Sequence, residues 1–306
     1  MNSFVRRLKL PFHYGKLLLL ILQCKLLKLA AFIRRGCHSK TILTLPHKPH
    51  PHSSLYKICH RLGYRVTRNA RGRADLVIYW EDCTFRSNCE AIERLAENER
   101  VVNLRSKDIG KHHVADVFQN VFGYNLEVNP GKYRGPMVVK ADRNACSVGE
   151  IVYGPADEKP GFVYQRLINN IVDGFLEEIR VPVFGSLLPY CLLQRIPLKY
   201  RFTLERGSGV ICEVNEVLGP TEIDLIRRFC NVLGLDYGEL DVLRDADNQR
   251  LYIVDVNNTP FGPMNRRLAI KPLFDRISWN ALDRMCDAFE LAFGNTARPS
   301  HESSRC

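Results

Sequence analysis

Two apolar segments separated by a polar turn stand out near the C-terminal end of the chain. Residues 238–243 and 251–257 are rich in apolar side chains, and the polar residues 245–249 lie between them. Short apolar segments joined by a polar turn are typical of a β-hairpin. When the hairpin is centred on Asn248, each residue of one arm can be matched with an antiparallel partner on the other arm.

This predicted register brings two carboxylates together. Asp241 lies opposite Asp255, and because side chains alternate along a strand, Asn257 shares their face. Like charges that face each other across strands repel, so a bound cation would stabilise the pair. A few oxygen ligands with room left for phosphate groups suit Mg²⁺. The alternative is that both aspartates are solvent-facing strand residues and that Asn257 only forms the turn before Pro260.

The segment 41–108 alternates apolar strand patterns with amphipathic helix patterns. Strands are predicted at 41–45, 64–67, 76–80 and 101–104, and helices at 53–62 and 89–97. Such alternation indicates a small open α/β sheet. The segment is too short for a complete dinucleotide-binding domain and contains no GxGxxG motif.

The segment 109–294 has an α+β pattern. Helices are predicted at 110–122, 221–233 and 279–293, and strands at 136–140, 150–153, 162–168 and 175–184, besides the hairpin. Gly123 is placed to end the first of these helices as a C-cap. Residues 295–306 are polar and are expected to form a disordered tail.

Residues 1–40 form a basic, hydrophobic N-terminal arm. The net charge of the chain is +11, and sixteen Lys and Arg but no Asp or Glu occur before Asp75. Lys25 and Lys28 interrupt a leucine-rich stretch, which disfavours a simple transmembrane helix. An anionic membrane surface is one expected partner, and a helix docked on the body of the protein is the alternative. Nucleic acid is a poor candidate because few aromatic residues accompany the basic ones.

The cysteine pattern indicates a reducing, cytoplasmic location. The chain has 11 cysteines, an odd number, with no CxxC spacing. A secreted disulfide scaffold would be shorter and more regularly spaced. We therefore expect most of these residues to be small buried apolar side chains.

Two lysines are placed to contact phosphate groups. Lys140 ends a predicted strand and is followed by the loop 141–149, whose backbone amides can cradle phosphate oxygens. Lys111 begins a predicted helix. A lysine at either place can also be simply solvated. The order of these features along the chain supports the phosphate-binding interpretation. The two lysines are followed by an apolar strand and then by the carboxylates of the hairpin.

That order resembles the ATP-grasp superfamily. The segment from Gly110-Lys111 to Pro130 resembles the family's first-lysine helix, and Pro136–Lys140 resembles its second-lysine strand. Glu178-Ile179-Arg180 is similar to the Asp-x-Arg of family ligases that act on protein or peptide carboxylates. Asp255–Pro260 is similar to the Glu-Val-Asn-x-x-Pro of the same ligases. The resemblance covers residues 107–268.

The resemblance implies an α+β protein with the ATP-grasp fold, in which two α+β lobes grip ATP behind a small α/β pre-ATP-grasp domain. The implied domains are residues 41–108 for the small α/β domain and 109–294 for the ATP-grasp domain. The implied ATP-binding residues are Lys111 and Lys140 at the phosphates, Gln165 and Leu167 at the adenine hinge, and Asp173 at the ribose.

The remaining implied residues belong to the reaction centre. Asp241, Asp255 and Asn257 would hold one or two Mg²⁺ ions, and Arg180 or Arg195 would steady the transferring phosphoryl group. Arg201 and the pair Arg266-Arg267 are candidates for binding a substrate carboxylate, with a solvated arginine as the alternative for each.

The implied activity is an ADP-forming ligation that depends on ATP and Mg²⁺. A carboxylate is a poor electrophile for an amine, and phosphorylation turns it into an acyl phosphate with a good leaving group. The expected partners are a small-molecule or peptide carboxylate and an amine acceptor. A second hypothesis is a nucleotide-binding scaffold or regulator without ligase activity, because the loop 141–149 holds one glycine where the family is glycine-rich.

Overall fold

The computed structural model describes residues 3–35, 40–143, 149–203, 207–262 and 276–294. The helices are α1 (Ser3–Arg35), α2 (Ser54–Arg61), α3 (Glu90–Ala96), α4 (Lys111–Phe122), α5 (Val214–Val217), α6 (Pro220–Leu233) and α7 (Arg276–Phe293). The strands are β1 (Thr41–Pro46), β2 (Arg65–Thr67), β3 (Leu76–Trp80), β4 (Val101–Val102), β5 (Pro136–Ala141), β6 (Gly149–Tyr153), β7 (Phe162–Arg166), β8 (Ile171–Val172), β9 (Phe175–Phe184), β10 (Cys191–Pro197), β11 (Ser208–Cys212), β12 (Tyr237–Arg244) and β13 (Leu251–Asn257).

Four parallel strands form the first sheet, in the order β2-β1-β3-β4. The central strand β3 is apolar and buried at every position, as expected for a parallel strand covered on both faces. Helices α1, α2 and α7 contribute to the core on one face, and α3 lies against the other. We call this sheet with α2 and α3 the α/β unit.

The second sheet is antiparallel and has the order β11-β10-β9-β12-β13, with β8 paired to β9. One face is apolar and packs against α4 and α6, where Phe118, Val181 and Phe229 are fully buried. The opposite face is apolar only at one end, where α7 covers it. The remainder of that face carries charged side chains, and it forms the candidate site described below.

Three antiparallel strands form a separate small sheet in the order β6-β5-β7. It carries Lys140 near the end of β5. The strand β7 ends at Arg166, two residues earlier than the sequence pattern predicts. The pattern did not predict β10 and β11, which continue the second sheet beyond β9.

The strand β12 starts against a buried side chain of the α/β unit. Oδ1 of Asn103 accepts hydrogen bonds from the N–H groups of Asp236 and Tyr237, each at 2.8 Å. Nδ2 of Asn103 donates to the carbonyl oxygen of Tyr237 at 2.7 Å. Because these backbone groups are buried, Asn103 satisfies them where no water reaches. The α/β unit therefore fixes the start of the strand that carries Asp241.

The loop 258–262 follows β13 and is also fixed to the α/β unit. Nζ of Lys57 donates to the carbonyl oxygen of Phe261 at 2.6 Å. Oγ1 of Thr259 donates to Oδ1 of Asp82 at 2.8 Å. Both ends of the hairpin sequence are thus held by side chains of the α/β unit.

The N-terminal helix α1 packs on the α/β unit through one face. Leu20, Cys24 and Ala31 are buried there, and Ala31 lies beside Gly63. No described helix combines the length and apolar character needed to cross a membrane. The eight cysteines that lie in described segments are free thiols, and five of them are buried. The predicted tail 295–306, loop residues 144–148 and Arg266-Arg267 lie outside the described residues.

Candidate active site

The hairpin of β12 and β13 places Asp241 directly opposite Asp255. Near the turn, Val242 pairs with Ile253, so Val254 is an extra residue and forms a β-bulge. Beyond the bulge the register brings the two aspartates together. The predicted carboxylate pair is confirmed.

A buried arginine binds the first of these carboxylates from the neighbouring strand. Nη2 of Arg180 on β9 donates to Oδ2 of Asp241 at 3.0 Å, and Nη1 donates to Oε1 of Glu239 at 2.8 Å. Nε lies 3.0 Å from Oε1 of Glu178 and 3.1 Å from Oε1 of Gln194. One guanidinium therefore serves three carboxylates on one face of the sheet.

Burial and charge together shift the pKa values of this group. Removal from water, with Glu178, Asp255 and Glu239 nearby, raises the pKa of Asp241 to about 8, although Arg180 opposes the shift. The charges of Asp241, Glu178 and Glu239 raise the pKa of Arg180 despite the burial of its guanidinium. The face carries more negative charge than one arginine can neutralise, so further cations are favoured there.

Two lysines supply such cations. Nζ of Lys111, at the first position of α4, lies 3.8 Å from Oδ1 of Asp255 and donates to the carbonyl oxygen of Arg143 at 3.2 Å. Burial lowers the pKa of Lys140, while the fields of Asp255 and Asp241 act in the opposite direction. The structure therefore places Lys111 beside Asp255, and it places Lys140 where the charges of Asp255 and Asp241 act on it.

The third predicted metal ligand, Asn257, lies on the same face because it pairs with Glu239 in the register. Its side chain is exposed, and Oδ1 accepts a hydrogen bond from the N–H of Thr259 at 2.9 Å. Nowhere in the described ranges do three or more His, Cys, Asp or Glu side chains form a metal-binding group. Two carboxylates and an amide fit Mg²⁺, which keeps water or phosphate oxygens in its remaining positions.

The predicted adenine hinge is the end of β7. Gln165 is buried and pairs with Val138 of β5 on one side and with Glu127 on the other. The N–H of Leu167 donates to the carbonyl oxygen of Pro136 at 3.2 Å. A purine that accepts a hydrogen bond from this N–H would have to replace that bond.

Two other predicted residues do not join the site. Arg195 pairs with Glu177 in the register of β9 and β10, so it lies on the opposite face of the sheet from Arg180. Nη2 of Arg195 lies 3.5 Å from Oδ2 of Asp173. Asp173 is an exposed turn residue with φ +50° between β8 and β9. These two residues form a surface ion pair.

The sequence analysis missed Glu239 and Lys57. Glu239 lies two residues before Asp241 on the same strand, so the alternation of side chains was a sufficient signal for it. Lys57 is buried on α2, and burial lowers its pKa to about 8 although Glu239 raises it. The periodicity of α2 marks Lys57 only as part of a helix, and no sequence signal connects it to the hairpin.

Arg201, a predicted candidate for binding a substrate carboxylate, is partly buried, and its guanidinium lies 6.0 Å from the centre of the Phe202 ring.

The layered sheets define the class of fold to which the chain belongs: it has the ATP-grasp fold. It is similar to the ATP-grasp ligase PsnB complexed with precursor peptide PsnA2 and AMPPNP, with 13% identity, a TM-score of 0.50 and coverage of 85% of this chain and 99% of that chain. PsnB complexed with minimal precursor, Mg and ADP gives 13% identity, a TM-score of 0.50 and coverage of 83% and 98%.

A third similar structure is D-alanine–D-alanine ligase from Bacillus anthracis complexed with ATP, with 13% identity, a TM-score of 0.49 and coverage of 82% of this chain and 95% of that chain. No protein-family model and no curated protein matches the chain. At 13% identity, these similar structures establish the fold of the chain but not its activity.

Proposed function

We propose that the chain is an ATP- and Mg²⁺-dependent ligase that joins a carboxylate to an amine through an acyl phosphate. One observation carries the proposal: Asp241 and Asp255 face each other on a charged sheet face, with Nζ of Lys111 3.8 Å from Asp255. Paired carboxylates with adjacent lysines are suited to hold a metal-bound triphosphate.

The residues that would hold Mg²⁺ are Asp241, Asp255 and Asn257. When bound, the ion would neutralise charge on the β- and γ-phosphates during transfer. Lys111 and Lys140 would contact phosphate oxygens from the side of α4 and β5. Their positive charge would act where negative charge develops, in a site with little water.

The hinge would bind adenine through Gln165 and Leu167. We leave Asp173 and Arg195 out of the proposed site, because they pair with each other away from the hairpin. Arg180 is the arginine that remains at the reaction centre. It would hold Asp241 in place and stabilise the transferring phosphoryl group.

The reaction balances without a covalent protein nucleophile. A carboxylate oxygen of the substrate attacks the γ-phosphorus of ATP, and the bond to the β-phosphate oxygen breaks to release ADP. The amine then attacks the acyl carbon, phosphate leaves, and the nitrogen loses a proton to water. The protein positions the reactants and neutralises charge.

The similar structures support a proposal for the substrate class. PsnB was solved with a precursor peptide, and the other neighbour is a ligase for D-alanine. Both support a carboxylate and an amine as substrates, and the first favours a peptide. The free thiols of the described cysteines support a reducing, cytoplasmic location.

The test is ADP release by the full chain with Mg²⁺ and mixtures of peptides and amino acids. Asp255→Ala should abolish release, because the metal loses a charged ligand. Asp224→Ala is the matched control, since Asp224 is an exposed aspartate on α6 with a side chain 76% accessible. Unchanged release in Asp255→Ala would refute the metal assignment.

A nucleotide-binding protein without ligase activity is the second candidate. The sequence of the loop 141–149 favours it, because the loop holds one glycine where a backbone that approaches phosphates closely is usually glycine-rich. Under this alternative, ATP with Mg²⁺ raises the melting temperature but no acceptor mixture yields ADP.

A further inference from the structure

Helix α1 has two apolar faces, and the packing on α2 uses only one of them. Leu20, Cys24 and Ala31 are buried against the body of the protein, with exposures of 5% or less. A second set of large apolar side chains points to solvent along the same helix. Its members are Leu18, Leu19, Leu22, Leu26, Leu29, Phe32 and Ile33, with exposures from 49% to 75%.

These outward side chains form a continuous stripe. Leu18, Leu22, Leu26, Leu29 and Ile33 recur at steps of three or four residues, so they lie on one side of the helix. The stripe is about 22 Å long at the rise of an α-helix. We call these seven residues the leucine stripe. Exposed apolar patches of this extent mark surfaces that bind a partner or a membrane.

The charge around the leucine stripe restricts the partner. Residues 1–40 contain nine Lys and Arg and no Asp or Glu. Lys25 is exposed and Lys28 is partly exposed on the described part of the helix. A second copy of the chain would bring the same cations against each other. An anionic surface would neutralise them.

We propose that the leucine stripe of α1 docks the protein on the surface of an anionic lipid bilayer. The leucine side chains would enter the boundary between headgroups and acyl chains, and the basic residues would contact lipid phosphates and carboxylates. The helix would lie in the plane of the membrane, because its opposite face is already packed on the α/β unit. This places the ligase site near a membrane, whichever substrates it takes.

The experiment is co-sedimentation of the full chain with lipid vesicles. Wild-type protein should bind vesicles that contain phosphatidylserine and should bind pure phosphatidylcholine vesicles much more weakly. The double variant Leu22→Glu/Leu26→Glu should bind phosphatidylserine vesicles at least about tenfold more weakly, because two apolar side chains that would enter the bilayer are replaced by anions. Both residues are half exposed, so the melting temperature should be unchanged.

The matched control is Val232→Glu/Leu291→Glu, which introduces the same charges at exposed apolar positions on α6 and α7. This variant should bind vesicles as the wild type does. The proposal is overturned if the wild type binds neither kind of vesicle, or if Leu22→Glu/Leu26→Glu binds as well as the control. It is also overturned if light scattering shows a dimer that the leucine variant alone dissociates. None of these readouts depends on ADP release.

Discussion

The guanidinium of Arg180 donates to Asp241 at 3.0 Å, and Asp241 lies directly opposite Asp255. Arg180 and the proposed Mg²⁺ therefore share one carboxylate. Because Arg180 also binds Glu178 and Glu239, a change at this residue affects the whole charged face. A substitution of Arg180 is therefore expected to change both the stability of the protein and the proposed metal site.

Arg180→Gln should lower the free energy of unfolding by about 3–5 kcal/mol, because it leaves buried carboxylates without their cation. The side chain of Glu239 is only 5% exposed. Urea denaturation measures the change. Arg94→Gln is the control, since Arg94 pairs with Glu90 on the surface and should cost less than about 1 kcal/mol. Equal effects for the two variants would contradict a buried charge network.

Lys140→Gln should weaken the binding of ATP with Mg²⁺ by about ten- to a hundredfold. A hydrogen bond to a charged group contributes about 1.5–3 kcal/mol, and Lys140 faces the hairpin carboxylates from β5. Titration calorimetry gives the dissociation constant. Lys132→Gln serves as the comparison, because Lys132 is an exposed residue of the loop before β5. If both variants bind ATP like the wild type, the assignment of Lys140 to phosphate is wrong.

Lys57→Met should remove a pH dependence of stability. Burial lowers the pKa of Lys57 from its ordinary 10.5 to about 8, so between these values the unfolded chain holds a proton that the folded chain lacks. The unfolding free energy of the wild type should therefore rise relative to the variant as pH increases through this window, by up to about 3 kcal/mol.

Denaturation of both proteins at a series of pH values across that window supplies the comparison. The ionisation of cysteines and tyrosines that do not interact with Lys57 is common to both proteins and cancels in the difference, whereas the ionisation of Cys24 is coupled to that of Lys57. A constant difference across the window would mean that Lys57 titrates near its ordinary pKa in the folded protein.

Gly234→Ala should destabilise the protein more than Gly123→Ala. Both glycines cap helices with positive φ, +74° and +80°, so each substitution carries the cost of a left-handed alanine, about 1–2 kcal/mol. A Cβ on Gly234 would also lie 2.5 Å from Cβ of Arg105 in the α/β unit, whereas nothing lies within 4 Å at Gly123. Melting temperatures of the two variants give the comparison, and equal shifts would contradict close packing at Gly234.

The hairpin shows how far the sequence alone can lead. A hairpin centred on Asn248 gives the correct partner for Asp241. Next to the turn, however, Arg244 pairs with Leu251, so the centre of this part of the hairpin lies half a residue before Asn248. The bulge at Val254 restores the predicted pairing. The alternation of apolar residues in the two arms predicts the hairpin but does not show where an extra residue enters.

The two residues that do not join the site, Arg195 and Asp173, have positions that depend on strand register and on turn geometry. Arg195 was expected at the reaction centre, but its face is set by the pairing of β10 with β9, which no local pattern reports. Asp173 was expected at the ribose, but the tight turn between β8 and β9 carries it outward. The lysines and the hairpin acids were predicted from local patterns, because the lysines lie at or near the ends of α4 and β5 and the acids lie on the two arms of one hairpin.

The hydrogen bonds that Asn103 and Lys57 donate, and the one that Asp82 accepts from Thr259, have a consequence for protein engineering. They hold the segments on either side of the hairpin, so the α/β unit is not an interchangeable module. A chimera that takes this unit from another protein of the same fold would lose these anchors even if the new unit folds well. An exchange of this unit that aims to change the acceptor preference would have to transfer two things together. These are the anchoring side chains and the segments on either side of the hairpin to which they bind.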